Sequence, residues 1–78
     1  MSITKVDQVV DARGLACPMP IIRTAQAMKG LEAGQMLEVL ATDPGAVPDF
    51  QAWSRSTGHE LVDMTEEAGI YRFLLRHR

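Results

Sequence analysis

The chemistry of this chain centres on its single cysteine, Cys17, which begins the sequence Cys-Pro-Met-Pro at residues 17–20. A thiol becomes a nucleophile when it ionises, and a helix N-terminus favours ionisation because it stabilises the charged form. Pro18 and Pro20 suit the first turn of a helix, where the N–H that proline lacks has no helical partner. We therefore expect Cys17 to be the N-cap of a helix, with an exposed sulfur and a lowered pKa.

Three neighbouring residues could support a thiolate at Cys17. The expected donor to the sulfur is the backbone N–H of Met19, because the two flanking prolines have none. Arg13 before the cysteine and Arg23 along the helix are candidates for electrostatic support. The alternative for a lone cysteine at a loop–helix junction is a buried, inert thiol. The two prolines favour the exposed thiol, because they fix the direction of the chain as the helix begins.

The other side chains limit what a reactive thiol could do. A cysteine hydrolase needs a histidine base, and neither His59 nor His77 has a spacing that favours a triad. We expect His59 to be a structural or solvent-facing residue. A dithiol oxidoreductase needs a resolving cysteine, and one cysteine with two distant histidines does not make a zinc site. We therefore expect no metal, and a thiol that accepts a group and hands it on.

Six segments separated by glycine and proline position this cysteine. The apolar spacing from Pro18 onward predicts a first helix, and strict alternation predicts a strand at 35–41. Asp43 is the expected N-cap of a second helix with Pro44 at its first position, although Pro48 removes a further backbone donor and complicates that start. The pattern predicts strands at 5–11, 35–41, 59–66 and 70–77, and helices at 18–28 and 44–57.

The order of these segments, βαβαββ, indicates the fold class. A helix follows each of the first two strands and a hairpin comes last, which favours a two-layer α/β sandwich. We expect a four-stranded mixed sheet with both helices on one face. Met36, Leu40 and Leu74 are candidates for the open face. They are either a partner or dimer surface or the scattered apolar side chains that ordinary surfaces carry.

Composition bounds the class of protein. The chain has 78 residues, enough for one domain over 1–78, and it is 46% hydrophobic and 23% charged, as in ordinary folded proteins. No run approaches the roughly 18 apolar residues that cross a bilayer, so we expect no membrane span. The first ten residues lack a signal-peptide pattern, and a lone thiol suits a reducing compartment. These features predict a cytoplasmic location.

Charge is distributed unevenly along the chain. The net charge is −2, which argues against direct nucleic-acid binding in spite of the C-terminal arginines Arg72, Arg76 and Arg78. Residues 32–67 carry eight acidic side chains, whereas the cysteine lies in the basic first part. An acidic stretch of this kind is usually a solvated face. It also leaves open a second interpretation, a non-enzymatic interaction or regulatory module.

Residues 11–20 (DARGLACPMP) resemble the signature of the TusA (SirA-like) family of small sulfur carriers. The resemblance extends over essentially the whole chain, including its length, its βαβαββ order, the 42–44 turn and the 58–60 junction. It implies a fold like that of the C-terminal domain of a bacterial translation initiation factor. Met19 occupies the variable position of the motif, which some members fill with an acid.

The resemblance also implies a function. Cys17 would carry sulfane sulfur as a persulfide, without another cofactor, and the protein would act as a sulfurtransferase. A cysteine desulfurase, a rhodanese or a low-molecular-weight persulfide would load it, and a DsrE-type partner would unload it. The relay would serve tRNA thiolation or dissimilatory sulfur oxidation. Pro18, Met19 and Pro20 are implied to position the persulfide, with Gly14 as the close-approach or tight-turn residue before it.

Overall fold

The structure, a computed structural model, describes residues 6–78. Its described part contains six elements in the order βαβαββ, which confirms the order expected from the sequence. Lys5, in the predicted first strand, lies outside the described residues. The elements are β1 (Gln8–Ala12), α1 (Met19–Met28), β2 (Met36–Ala41), α2 (Ala46–Thr57), β3 (Glu60–Glu67) and β4 (Ile70–Arg76).

The four strands form one mixed sheet in the order β1-β2-β4-β3. β1 and β2 are parallel, with Val10 opposite Val39, because α1 carries the chain back across the sheet between them. β4 lies antiparallel between β2 and β3, with Phe73 opposite Val39. The predicted mixed sheet and the final hairpin are therefore confirmed.

The core lies between the sheet and two helices that pack on the same face. Alternate residues of β2, namely Leu37, Val39 and Ala41, are fully buried, as their spacing predicts. Phe50 of α2 stacks on Phe73 of β4 with ring centroids 4.3 Å apart. Both helices contribute to this one cluster, so the two-layer arrangement is confirmed. Its buried hydrophobic members are Ala12, Met28, Leu37, Val39, Ala41, Ala46, Phe50, Phe73 and Leu75.

In the described part of the chain, neither helix packs on the opposite face of the sheet. Met36 and Leu40 on β2 and Leu74 on β4 are half-buried there, between the charged side chains of neighbouring strands. One cross-strand ion pair, Arg72 to Glu38, has an N–O distance of 2.9 Å. This ion pair places charged groups between the apolar side chains of the face. The role of this face as a partner surface stays a prediction.

The predicted start of α2 is wrong by two residues. The helix begins at Ala46, and its N-cap is Gly45. An Asp43 carboxylate oxygen instead accepts a hydrogen bond from the Gly45 N–H (3.1 Å), and the Asp43 carbonyl accepts one from Ala46 (2.9 Å). These bonds make a turn before the helix, with Pro44 inside it. Pro48 is the third helical residue, where an N–H would have no helical partner, so it does not interrupt the helix.

Gly58 ends α2 in a backbone conformation that favours glycine. Its φ is 84°, and its N–H donates to the Ser54 carbonyl (2.9 Å). A Cβ at this position would lie 3.3 Å from the Arg78 Cδ. We expect Gly58→Ala to lower the free energy of unfolding by about 1–2 kcal/mol, the cost of a left-handed residue with a side chain, in urea denaturation.

Gly30→Ala is the matched control for that change. Gly30 has no left-handed φ, and an added Cβ would meet only the Ala27 carbonyl at 3.6 Å, an ordinary contact. Its free energy of unfolding should stay within about 0.5 kcal/mol of the wild type or rise slightly. Equal losses in the two variants would contradict the assignment of Gly58 as a left-handed cap.

Candidate functional site

Cys17 lies in the loop between β1 and α1, with its side chain exposed to solvent. The N-cap of α1 is Pro18, and the helix begins at Met19. The predicted role of Cys17 as N-cap is therefore wrong by one residue. The peptide bond between Cys17 and Pro18 is cis. The thiol stands just outside the helix, at the end of the loop that leads into it.

The expected hydrogen bond from Met19 to the sulfur is also replaced. The Met19 N–H donates to the carbonyl of Ala16 (2.9 Å) and closes a turn around Cys17. The Met19 side chain is 38% exposed, and Pro18 is exposed beside it. Pro20, in contrast, is fully buried, so it fixes the start of α1 against the rest of the domain.

Two hydrogen bonds fasten this loop to the turn between β2 and α2. The N–H of Gly14 donates to the Thr42 hydroxyl oxygen (2.9 Å), and the N–H of Cys17 donates to an Asp43 carboxylate oxygen (2.7 Å). Gly14 has a φ of 79°, and no atom lies within 4 Å of where its Cβ would be. Glycine is therefore favoured here by the tight turn and not by a close approach.

Asp49 is the residue that the sequence did not reveal. The Sγ of Cys17 donates a hydrogen bond to the Oδ2 of Asp49, 32 positions further along the chain. Asp49 lies in the first turn of α2, where a carboxylate interacts favourably with the helix dipole. A place at the start of α2 is the only signal for Asp49 in the sequence. The helix dipole accounts for an acid there without any role for the cysteine.

The Asp49 contact reverses the expected electrostatics of the thiol. The pKa of Cys17 is raised, first by the hydrogen bond to Asp49, then by a loss of hydration at the sulfur, then by the negative charges of Asp49 and Asp43. The expectation of a lowered pKa is wrong because the nearest charged groups are carboxylates. The pKa of Asp43 is lowered, since its carboxylate accepts hydrogen bonds from the Cys17 and Gly45 N–H groups.

Neither arginine that was expected to support a thiolate is brought to the sulfur. The guanidinium of Arg13 binds Asp11 through two hydrogen bonds of 2.8 Å, which lower the pKa of Asp11 to about 2. Arg23 lines a shallow depression beside β1. Over residues 6–78, no hydrogen bond or ion pair joins Arg13 or Arg23 to Cys17.

The two histidines pack against each other, and His59 also packs against Trp53. His59 is half-buried and stacks on Trp53 with centroids 5.3 Å apart, and His77 contacts it edge-on at 4.6 Å. Burial, followed by the nearby charges of His77 and Arg78, lowers the pKa of His59. No hydrogen bond among the described residues joins either histidine to Cys17, so His59 contacts an aromatic ring and not the thiol.

The described residues contain neither a metal-binding cluster nor a membrane-spanning helix. Among residues 6–78, no group of three or more His, Cys, Asp or Glu side chains is arranged to hold a metal ion. The described helices are too short and too polar to cross a membrane.

The raised pKa predicts a distinctive alkylation profile. A thiol with a raised pKa stays protonated to higher pH, so less of the reactive thiolate is present at pH 7. We expect iodoacetamide to alkylate folded Cys17 more slowly at neutral pH than the same protein unfolded in urea. The rate of the folded form should rise at higher pH than that of the unfolded form. If the alkylation rate of the folded form rises at the same pH as that of the unfolded form, or at a lower pH, the Asp49 contact is contradicted.

The chain thus combines a four-stranded mixed sheet, two helices on one face and an exposed cysteine in a Cys-Pro-X-Pro sequence. The family model Sulfurtransferase TusA matches residues 8–77, and the chain belongs to this family. The resemblance seen in the sequence is thereby confirmed.

Individual relatives agree with this assignment. The chain is 47% identical to the sulfur carrier protein TusA of Allochromatium vinosum, over 90% of this chain and 92% of that one. It is 57% identical to YrkI of Bacillus subtilis, described as a candidate sulfur carrier, over 92% and 96% of the two chains. The crystal structure of a SirA-like protein from Desulfitobacterium hafniense matches with a TM-score of 0.78 and 25% identity, covering 88% and 95%.

Proposed function

We propose that this protein carries sulfane sulfur as a persulfide on Cys17 and passes it to a partner protein. The observation that carries the proposal is the exposure of its only cysteine, in a chain that belongs to the TusA family. A sulfur carrier needs a thiol that both donor and acceptor can reach. The absence of a second thiol in the sequence means that the persulfide cannot discharge as an internal disulfide.

The transfer chemistry needs no redox partner. In loading, the Cys17 sulfur attacks the terminal sulfur of a donor persulfide; a new S–S bond forms at Cys17 and the S–S bond of the donor breaks. The Cys17 proton ends on the departing donor thiol, so Cys17–SH and R–S–S⁻ give Cys17–S–S⁻ and R–SH. Unloading is the same exchange with an acceptor thiol as the attacking group. No cofactor other than the covalently held sulfur enters the proposal.

Three residues near Cys17 support this role by holding the loop rather than by touching the sulfur. Asp43 fixes the backbone N–H of Cys17, and buried Pro20 fixes the start of α1. Gly14 adopts the left-handed turn in which its own N–H donates to the Thr42 hydroxyl oxygen. Pro18 and Met19, which directly follow Cys17, are exposed, so a docking partner would contact them.

The partners follow from the chemistry of a carrier. Sulfur carriers work in relays with other proteins, and we propose that a cysteine desulfurase, a rhodanese or a low-molecular-weight persulfide loads Cys17. A DsrE-type sulfurtransferase is the proposed acceptor, in tRNA thiolation or in dissimilatory sulfur oxidation. We propose that residues 1–78 act as one carrier domain in the cytoplasm, the reducing compartment that suits a lone thiol.

Intact mass spectrometry tests the loading step. Incubation with a low-molecular-weight persulfide should add about 32 Da, one sulfur atom, to the folded protein. Protein first blocked with iodoacetamide at Cys17 is the control and should gain nothing. Dithiothreitol should remove the added mass. A folded, unblocked protein that gains no mass would contradict the proposed function.

A further inference from the structure

Asp49 contacts the reactive atom of the proposed carrier, and the hydrogen bond has a defined direction. The Cys17 thiol donates and the Asp49 carboxylate accepts, so the contact exists only while the sulfur holds a proton. Asp43 adds a second carboxylate next to the same residue, bound to its backbone N–H. The empty carrier is thus held in its protonated form by the groups around it.

Loading with sulfur removes the donor from this contact. A persulfide is a stronger acid than the thiol from which it is made, so its outer sulfur is an anion at neutral pH. An anion next to a carboxylate is repelled and makes no hydrogen bond to it. The group that stabilises the empty carrier therefore destabilises the loaded one.

We propose that Asp49 is a positioning residue that distinguishes the empty carrier from the loaded one and favours release of the sulfur. In the empty carrier, its carboxylate holds the Cys17 thiol against α2. In the loaded carrier, it directs the persulfide anion away from α2 toward solvent and an acceptor thiol. This inference rests on the proposed function, because it concerns the persulfide form of Cys17.

Asp49→Asn separates the charge from the shape of the side chain. Asparagine has the same size and still offers an oxygen acceptor, but it lacks the charge that repels an anion. We would equilibrate each variant with a fixed ratio of glutathione persulfide to glutathione and measure the ratio of loaded to empty protein by intact mass. That ratio should rise about fivefold in Asp49→Asn, the effect of removing one repulsion between unit charges at about 4 Å in water.

Two further variants show whether the effect belongs to this position. Asp63→Asn removes the same charge from an exposed residue of β3 and should leave the loaded ratio unchanged. Asp49→Glu keeps the charge and should stay close to the wild type. The alkylation profile of empty Cys17 should move to lower pH in Asp49→Asn only, because the thiol then loses its charged acceptor.

The possible outcomes test the role of Asp49 and the proposed carrier function separately. If the wild type and Asp49→Asn both gain sulfur in equal ratio, the inference is overturned and the carrier function stands. If neither gains sulfur, both are overturned. A raised ratio in Asp49→Asn with an unchanged ratio in Asp63→Asn supports the inference. A rise in both variants would show a general effect of net charge and would overturn the role of Asp49.

Discussion

Cys17→Ser should abolish sulfur loading and sulfur transfer completely while leaving the fold intact. A serine hydroxyl cannot form the S–S bond that holds sulfane sulfur, and no other cysteine in the sequence can replace it. The side chain is exposed, so the free energy of unfolding should change by no more than about 0.5 kcal/mol. The measurement is the mass gain after persulfide treatment, with urea denaturation as the check on folding.

The same variant discriminates between a carrier and an interaction module. A module that acts only by binding would keep its activity in cells with serine at position 17, because the surface changes by a single atom. A carrier would lose all of it. Arg23→Gln is a suitable control for nonspecific loss, since Arg23 is exposed on α1 and lacks any bond to Cys17 among the described residues. Retained activity in Cys17→Ser cells would contradict the carrier function.

Phe50→Ala should destabilise the protein by about 3–5 kcal/mol. Phe50 is fully buried, stacks on Phe73 at 4.3 Å and contacts Trp53 edge-on at 6.3 Å. Its removal leaves a cavity between α2 and the sheet in a small core. Folded domains are stable by about 5–15 kcal/mol in total, and a domain of 78 residues lies toward the low end of that range, so this change should leave the domain barely stable or unfolded at 25 °C.

Two companion variants keep that expectation measurable. Phe50→Leu fills most of the space and should lose less than the alanine variant in urea denaturation. Val62→Ala removes an apolar side chain that is 42% exposed on edge strand β3, and should cost less than about 1 kcal/mol. A Phe50→Ala loss as small as that of Val62→Ala would contradict the core described above.

Elements with a regular pattern were predictable from the sequence. The alternation in 35–41 predicts the buried face of β2, and glycine at position 58 predicts the end of α2 at Thr57. The order of strands and helices then limits the topology to a few arrangements. These signals are local, because each depends on residues that are neighbours along the chain.

The helix starts and the site electrostatics were not predictable in this way. Asp43 was a reasonable N-cap by residue type, but its carboxylate instead joins the Cys17 backbone to that of Gly45. The raised pKa of Cys17 depends on Asp49. Asp49 reaches the sulfur only because α2 packs beside the loop between β1 and α1. A side-chain contact between residues far apart in sequence leaves no periodic signal.

The most direct test of the central claim is discharge of the loaded protein. Persulfide-treated protein, freed from donor by gel filtration, would be mixed with an equimolar amount of a small thiol, and samples would be trapped with iodoacetamide and analysed by mass. A carrier should lose about 32 Da while an equal amount of sulfur appears on the small thiol as its persulfide, and it should then accept sulfur again. Sulfur that stays on the protein, or leaves it without reaching the thiol, would contradict the account.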